Sequence, residues 1–206
     1  MRTIHVIIGK SLSGKSWVQK KCNLPKLVTC TTRPMRKKEV NGYDYHFVSE
    51  YQYKEDLSRG SVVAGRCYST VGGDWNYYIG KSSLEGLNNG HFGNDVVIVL
   101  DLKGYHELRE YVKDNYSGIS VKGYYLDCPL EVRLKRIFSS DRSGEDLREV
   151  LRRIYNDEFN DFNGLDDDTA NFLSDITVYS DSSNLLFSLN DFVVTQHLER
   201  GIYENI

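Results

Sequence analysis

No stretch of this chain approaches the roughly 20 consecutive apolar residues that a membrane-crossing helix needs, so no membrane association is expected. The opening, Met1 to Gly9, has one Arg and a short apolar run, without the length or the small-residue cleavage site of a signal peptide. A cytoplasmic protein is expected. Excess positive charge is also missing: 26 Lys and Arg face 29 Asp and Glu, a net charge of -3. Such a chain has no global field to draw it to nucleic acid, although local basic clusters remain available for small phosphates. Metal-binding patterns are absent too. Cys22, Cys30, Cys67 and Cys128 form no CxxC pair, and the five His residues form no HExxH. Free thiols in a reducing compartment, with no built-in zinc site, are expected. There is no internal repeat and no low-complexity linker. What remains is 206 residues, 40% hydrophobic and 27% charged, which fits one globular domain or one domain with inserted lobes.

Strand-like and helix-like patterns alternate along the chain. Ile4 to Ile8 reads as a buried strand, and a helix is predicted over Ser16 to about Cys22. Further strands are predicted over Leu27–Thr32, Tyr45–Val48 and Ser61–Ala64, with Asn41-Gly42 as a hairpin turn signal and a helix over Tyr51–Leu57. Cys67 to Tyr78 reads as short strands and loops. Val96 to Leu100 is the most apolar run and reads as a central parallel strand covered on both faces. A helix over Tyr105 to about Lys113, a strand over Val121–Leu126, and charged helical stretches over Leu130–Phe138 and Glu145–Phe159 follow. A last strand at Asp175–Val178 and a closing helix over Ser188–Leu198 complete an α/β pattern with a parallel sheet. The acidic stretch Asp157 to Asp168 reads as a solvated helix end and loop.

Gly9-Lys10-Ser11-Leu12-Ser13-Gly14-Lys15-Ser16 matches the P-loop pattern in full, between an apolar strand and a helical pattern. Its glycines let backbone amides turn inward around phosphate oxygens, and the following helix N-terminus adds unpaired N–H groups. Lys15 supplies charge for the outer phosphates of a nucleotide triphosphate, and the Ser16 hydroxyl is the candidate Mg2+ ligand. A P-loop alone leaves switch, pump and kinase open. Phosphoryl transfer to a second substrate requires a second anion site.

The segment from Thr31 to Ser49 offers one. Arg33 and Arg36 flank Pro34, which stiffens the turn, and two guanidinium forks at one turn can grip a phosphate. Tyr45 can add a hydroxyl. This segment, TTRPMRKKEVNGYDYHFVS, together with the P-loop upstream, resembles the monophosphate-binding signature of guanylate kinases. The strand ending at Asp101, with Gly104 after it, resembles a further family element, and Pro129, Arg136, Arg142 and Arg153 resemble the family's proline and lid arginines.

The resemblance implies an α/β fold with a P-loop NTPase-type parallel sheet core at about 1–28, 96–126 and 151–206. It also implies an inserted, mostly-β monophosphate lobe at about 29–95 and a helical lid at about 127–150. The expected activity is ATP-dependent phosphorylation of a nucleoside monophosphate, GMP or dGMP by default. Gly9 to Ser16 would bind ATP. Thr29, Arg33, Arg36, Tyr45, Tyr78 and Asp101 would bind the acceptor. Lys15, Arg136, Arg142 and Arg153 would act at the transferring phosphoryl. A monomer or homodimer is expected, with no nucleic-acid partner.

The base-reading positions depart from the family pattern. Thr29 stands for a Ser and keeps the hydroxyl. A Glu belongs in the strand corresponding to Ser61–Arg66, yet Gly60-Ser61-Val62-Val63-Ala64-Gly65 carries no acid. The Asn-Tyr-Tyr-Gly stretch contains an extra Ile79, and Lys81 or Ser82 stands where a base-contacting hydroxyl is expected. Either Asp74, Asp101 or another acid replaces the Glu, or the acceptor carries a different or modified base. A non-catalytic guanylate-kinase-like binding module and a kinase for a phosphorylated sugar are the rival readings.

Overall fold

The computed structural model describes residues 1–138, 146–162, 176–179 and 184–190. Two four-stranded sheets organise them. In the first, β1 (Arg2–Ile8) lies between β6 (Asp95–Val99) and β7 (Ile119–Leu126), and β8 (Ile176–Tyr179) pairs with β7; every pairing is parallel. The second sheet runs β3 (His46–Phe47), β2 (Cys30–Thr31), β5 (Gly73–Gly80), β4 (Val62–Thr70). Its β2–β5 and β4–β5 pairs are antiparallel.

β1 is buried along six of its seven residues because both faces of the sheet are covered. Ile4, Val6 and Ile8 pack on one side with Leu84 and Leu87 of α3 (Lys81–Asn88) and with Tyr105, Leu108 and Val112 of α4 (Leu102–Asn115). Ile7 faces the other side with Val97, Val18 of α1 (Lys15–Lys21), and Leu185 and Leu189 of a helix over 184–190. The alternation along β1 thus builds both halves of the core. The strands of this sheet end on one side, where β1 runs into the glycine-rich turn and β6 runs into Asp101. Clefts at the carboxyl ends of parallel strands are where such folds bind ligands.

Three elements differ from the sequence expectation. The predicted strand over 27–32 is split between the two sheets: Lys26 bridges to Val97 of the first, whereas Cys30 pairs with Tyr78 of the second. The Asn41-Gly42 turn forms with Gly42 at φ 80°, but β2 and β3 on either side of it pair in parallel, so they are not a hairpin. The region over 67–78 is one long hairpin instead of short pieces, with a β-bulge between Val63 and Arg66 and Ala64 at φ 49°. After α2 (Glu50–Ser58), this hairpin leads directly into α3.

α5 (Leu130–Lys135), a 3-10 turn (Arg136–Phe138), α6 (Leu147–Asn156) and a π-helical turn (Asp157–Asp161) complete the described chain. Of the predicted closing helix over 188–198, the described part lies within the helix over 184–190. No helix among the described residues is long and apolar enough to cross a membrane.

Candidate active site

The turn after β1 is built by backbone that side chains would obstruct. Gly9 has φ 150°, and a Cβ there would lie 2.7 Å from the Leu126 carbonyl oxygen. Gly14 has φ 113°, and Leu12 is held at φ 67°. Ser13 Oγ is buried with no hydrogen-bond partner among the described residues. Such a cradle, with an orphaned hydroxyl inside it, fits a phosphate chain. Lys15 Nζ donates to the carbonyls of Gly9 at 2.6 Å and Lys10 at 2.7 Å. Burial pushes its pKa down to about 8; the Asp157 charge opposes that shift, while Arg133 and Arg153 add to it. Ser16 is exposed at the start of α1, open to a hydrated metal ion.

The surroundings of this turn include residues that sequence reasoning missed. Ser11 N–H donates to Asp157 Oδ2 at 2.6 Å. Asp157 is 7% exposed, so the expected solvated acidic helix end is corrected at its first residue: the π-helical turn carries it onto the P-loop. Lys10 pairs with Glu158 at 2.9 Å. Arg133 is 1% exposed; it donates to the carbonyls of Cys128 at 3.1 Å and Ser11 at 3.3 Å and also pairs with Glu158. No local pattern distinguishes Arg133 from the other arginines of its helix, and only its burial does. Arg136 donates to the carbonyls of Leu12 at 2.8 Å and Ser13 at 2.7 Å, bracing the back of the turn. Arg153 lines the cleft in front of it and lies 3.6 Å from Glu149, which also takes two hydrogen bonds from Arg152. Arg142 lies outside the described residues.

A cleft of about 350 Å³ runs from Gly9, Ser11 and Lys15 to the second sheet, where Thr29, Tyr45, Ala64, Arg66, Tyr68 and Tyr77 line it. Arg33 is 8% exposed and locked in place. Its fork meets Glu39 at 3.0 Å and 2.7 Å, and its guanidinium carbon lies 5.5 Å and 5.6 Å from the ring centres of Tyr45 and Phe47. Arg36 is exposed, and its backbone N–H donates to Glu39 at 2.7 Å. Burial raises the Tyr45 phenol, helped by Tyr77.

Strand alternation separates the neighbouring tyrosines. Tyr77 makes edge contacts with Tyr45 at 5.8 Å and Tyr68 at 5.6 Å. Tyr78, the expected acceptor contact, also borders the cleft but is 2% exposed, and its hydroxyl donates to Asp56 at 2.6 Å. Asp101 lies at the inner end of the cleft. Its Oδ1 caps α4 through Gly104 N–H at 2.5 Å, and its Oδ2 accepts from Tyr68 at 2.5 Å. Asp74 is exposed on the hairpin, and Lys81 and Ser82 open α3 with both side chains exposed.

The guanylate kinase family profile matches residues 1–109. Over 158 residues the chain is 29% identical to the guanylate kinase of Lactobacillus acidophilus, covering 77% of this chain and 74% of that protein. It is 30% identical over 147 residues to the guanylate kinase of Helicobacter hepaticus, covering 71% of this chain and 67% of that one. The crystal structure of guanylate kinase from Anaplasma phagocytophilum superposes with a TM-score of 0.57 at 18% identity, covering 95% of this chain and 86% of the other. That likeness is one of fold. With a family match over more than half its length and these relatives, the chain belongs to the guanylate kinase family.

Proposed function

We propose that this protein is a nucleoside monophosphate kinase that transfers the terminal phosphoryl group of ATP to GMP or dGMP. The observation that carries the reading is a shared cleft, lined by the P-loop residues Gly9, Ser11 and Lys15 and by Tyr45, Tyr77, Arg66 and Asp101 of a second surface. A switch or pump needs only the first surface. A transferase needs both, open to one another.

In this reading the second sheet, with the segment around it, forms the acceptor lobe, and the α5–α6 region forms the lid. The P-loop amides and Lys15 hold the triphosphate. Ser16 would hold Mg2+, which when bound offsets charge on the phosphate oxygens. Arg33, kept rigid by Glu39 and two aromatic rings, and Tyr45 hold the acceptor phosphate, with Tyr77 in the role that the family resemblance gives to Tyr78. Arg153 and Arg152 approach the space between donor and acceptor from α6. No side chain need act as a base, because the attacking phosphate oxygen is already ionised. The chain's contribution is positioning, charge compensation and exclusion of water.

The test is ADP formation from ATP in the presence of each nucleoside monophosphate, with and without Mg2+. Acceptor-dependent ADP formation, highest with GMP or dGMP and lost in Lys15→Ala, is the expected result. ATP consumption that ignores every monophosphate would overturn the reading.

A further inference from the structure

The inner end of the cleft holds an arrangement that the phosphate chemistry does not use. β4 reaches it through the bulge, where Ala64 and Gly65 together face Tyr78 and Ala64 takes φ 49°. Bulges re-aim the side chains that follow them. Beyond this one, Arg66, Tyr68 and Thr70 all line the cleft. The stretch in which a carboxylate is expected therefore presents Arg66 as its charged group.

Arg66 is held from behind. Its Nη1 donates to Glu107 at 2.8 Å and to its neighbour's carbonyl, that of Gly65, at 2.5 Å. Its Nε lies 3.3 Å from Asp101 Oδ2, outside hydrogen-bonding alignment. Nε and Nη2 are both buried and have no hydrogen-bond partner among the described residues. A Cβ on Gly104 would lie 3.8 Å from Nη2, which places that nitrogen beside the first turn of α4. Buried guanidinium donors without acceptors are costly, and a purely structural ion pair has no need of them.

The acceptors lie beside these donors. Asp101 Oδ2 takes the Tyr68 hydroxyl, and Oδ1 takes Gly104 N–H. Asp101 Oδ2, a carboxylate oxygen that can accept a second bond beside that from Tyr68, lies 3.3 Å from Arg66 Nε. Donor beside acceptor is the complement of a carbonyl beside a ring N–H. Guanine and hypoxanthine both present that edge, as O6 and N1–H; uracil presents it as O4 and N3–H, but on the smaller pyrimidine ring, which from the same phosphate anchor brings the edge less far into the cleft. Adenine and cytosine present the reverse order, an amino group beside a bare ring nitrogen. Guanine's 2-amino group, which distinguishes it from hypoxanthine, finds no carboxylate reserved for it, since Asp101 and Glu107 are already engaged.

We propose that Arg66, with Asp101 and Tyr68 beside it, is the base-reading group of this chain, and that the acceptor site selects the 6-oxopurine edge, taking hypoxanthine and guanine monophosphates alike. The inference rests on the kinase reading and names the substrate class of the same site. The N–H and carbonyl of the base meet the Tyr68–Asp101 oxygens and the Arg66 donors. Among the described residues, no carboxylate of the site is left without a partner for the 2-amino group.

The experiment measures kcat/KM of the full chain with ATP and GMP, IMP, AMP, CMP or UMP, together with GMP binding by calorimetry. IMP is expected within about tenfold of GMP, and AMP and CMP at least about a hundredfold below, as for a site whose buried polar groups are left unpaired by the wrong edge. Arg66→Met should lower GMP and IMP efficiency by about tenfold or more, chiefly through KM, as loss of a directional base contact does. The KM for ATP should not rise. Arg66→Lys, which keeps the ion pairs, tests folding independently: it should melt near the wild type yet still lose part of the preference over AMP. IMP more than about a hundredfold below GMP in the wild type, or UMP equal to GMP, would overturn the inference. An unchanged base preference in Arg66→Met would do the same. Absence of turnover with every monophosphate would instead sink the kinase reading beneath it.

Discussion

The backbone N–H of Ser11 and the carboxylate of Asp157 meet at 2.6 Å, so a side chain 146 residues away occupies an amide of the phosphate cradle. The π-helical turn at the end of α6 makes this contact, and Arg133 flanks the same carboxylate at 3.8 Å. In the kinase reading this carboxylate competes with a phosphate oxygen for the Ser11 N–H, and the preceding α6 carries Arg152 and Arg153.

Asp157→Asn is expected to tighten binding of a non-hydrolysable ATP analogue by roughly tenfold, because a charged competitor for the amide, worth about 1.5–3 kcal/mol, becomes a neutral one. Isothermal titration of both proteins at one pH and salt concentration checks it. Weaker binding by the variant would mean that Asp157 works with the nucleotide rather than against it.

Triphosphate affinity should depend on pH through Lys15. Its pKa is pushed down to about 8 by burial, against 10.5 for an ordinary lysine. Below about 8 the ammonium is charged and affinity should be flat. Above it, binding must take up a proton, and affinity should fall by up to tenfold per pH unit. Calorimetry at pH 9 in two buffers of different ionisation heat should show uptake approaching one proton. The sign for stability is opposite: between about 8 and 10.5 the unfolded chain binds the proton that the folded chain has released, so this group makes stability rise with pH. Lys15→Ala should therefore melt no lower than the wild type while losing turnover.

Two arginines of the lid region should separate structure from catalysis. Arg133 is 1% exposed and bound to Glu158, Asp157 and two carbonyls, so Arg133→Ala leaves the buried Asp157 without this cation and two carbonyls without their donor, and should cost about 3 kcal/mol. Arg152 is 32% exposed, and its pairing with Glu149 should contribute no more than about 1 kcal/mol. Urea denaturation of both variants gives the stabilities. Arg152→Ala should keep its midpoint and lose turnover, which a surface ion pair alone would not explain.

For the acceptor phosphate, Arg33→Ala should raise the KM for GMP by roughly 30-fold or more and leave ATP binding unchanged, since a charge-assisted contact in a closed site is worth about 2–4 kcal/mol. Arg36→Ala, from an exposed position, should act in the same direction with a smaller effect. Steady-state kinetics with each substrate varied in turn distinguishes the sites. A rise in the KM for ATP alone would reverse their assignment.

The phosphate cradle was legible in the sequence because its parts are contiguous. A buried strand, a turn that only glycine can make at Gly9, and the lysine and serine that follow are fixed by backbone sterics within a few residues. The Arg33 turn was legible in part for the same reason: Arg33, Pro34 and Tyr45 lie within one short segment, whereas the hold of Glu39 and Phe47 on the arginine came only with the structure. So was the doubly buried character of β1 and β6, although β6, expected at the centre, is an end strand of the described sheet with β1 inside it. α3 escaped because it is short and carries Gly86, a residue that reads as a breaker; a Cβ there would lie 2.9 Å from the exposed Phe92 ring, which would have to shift.

The rest was decided in three dimensions. Tyr77 and Tyr78 are adjacent in sequence, and only the pairing of β5 determines which ring meets Tyr45 and which hydroxyl meets Asp56. Arg66 reaches the cleft with Asp101 because a bulge changes the phase of β4, and Asp101 arrives from the end of a strand in the other sheet. Asp157 reads as solvent-exposed in an acidic run and becomes buried only when a π-turn aims it at Ser11. Local patterns specify what the backbone can do over a few residues. Which charges meet across the cleft depends on register, twist and the packing of distant segments.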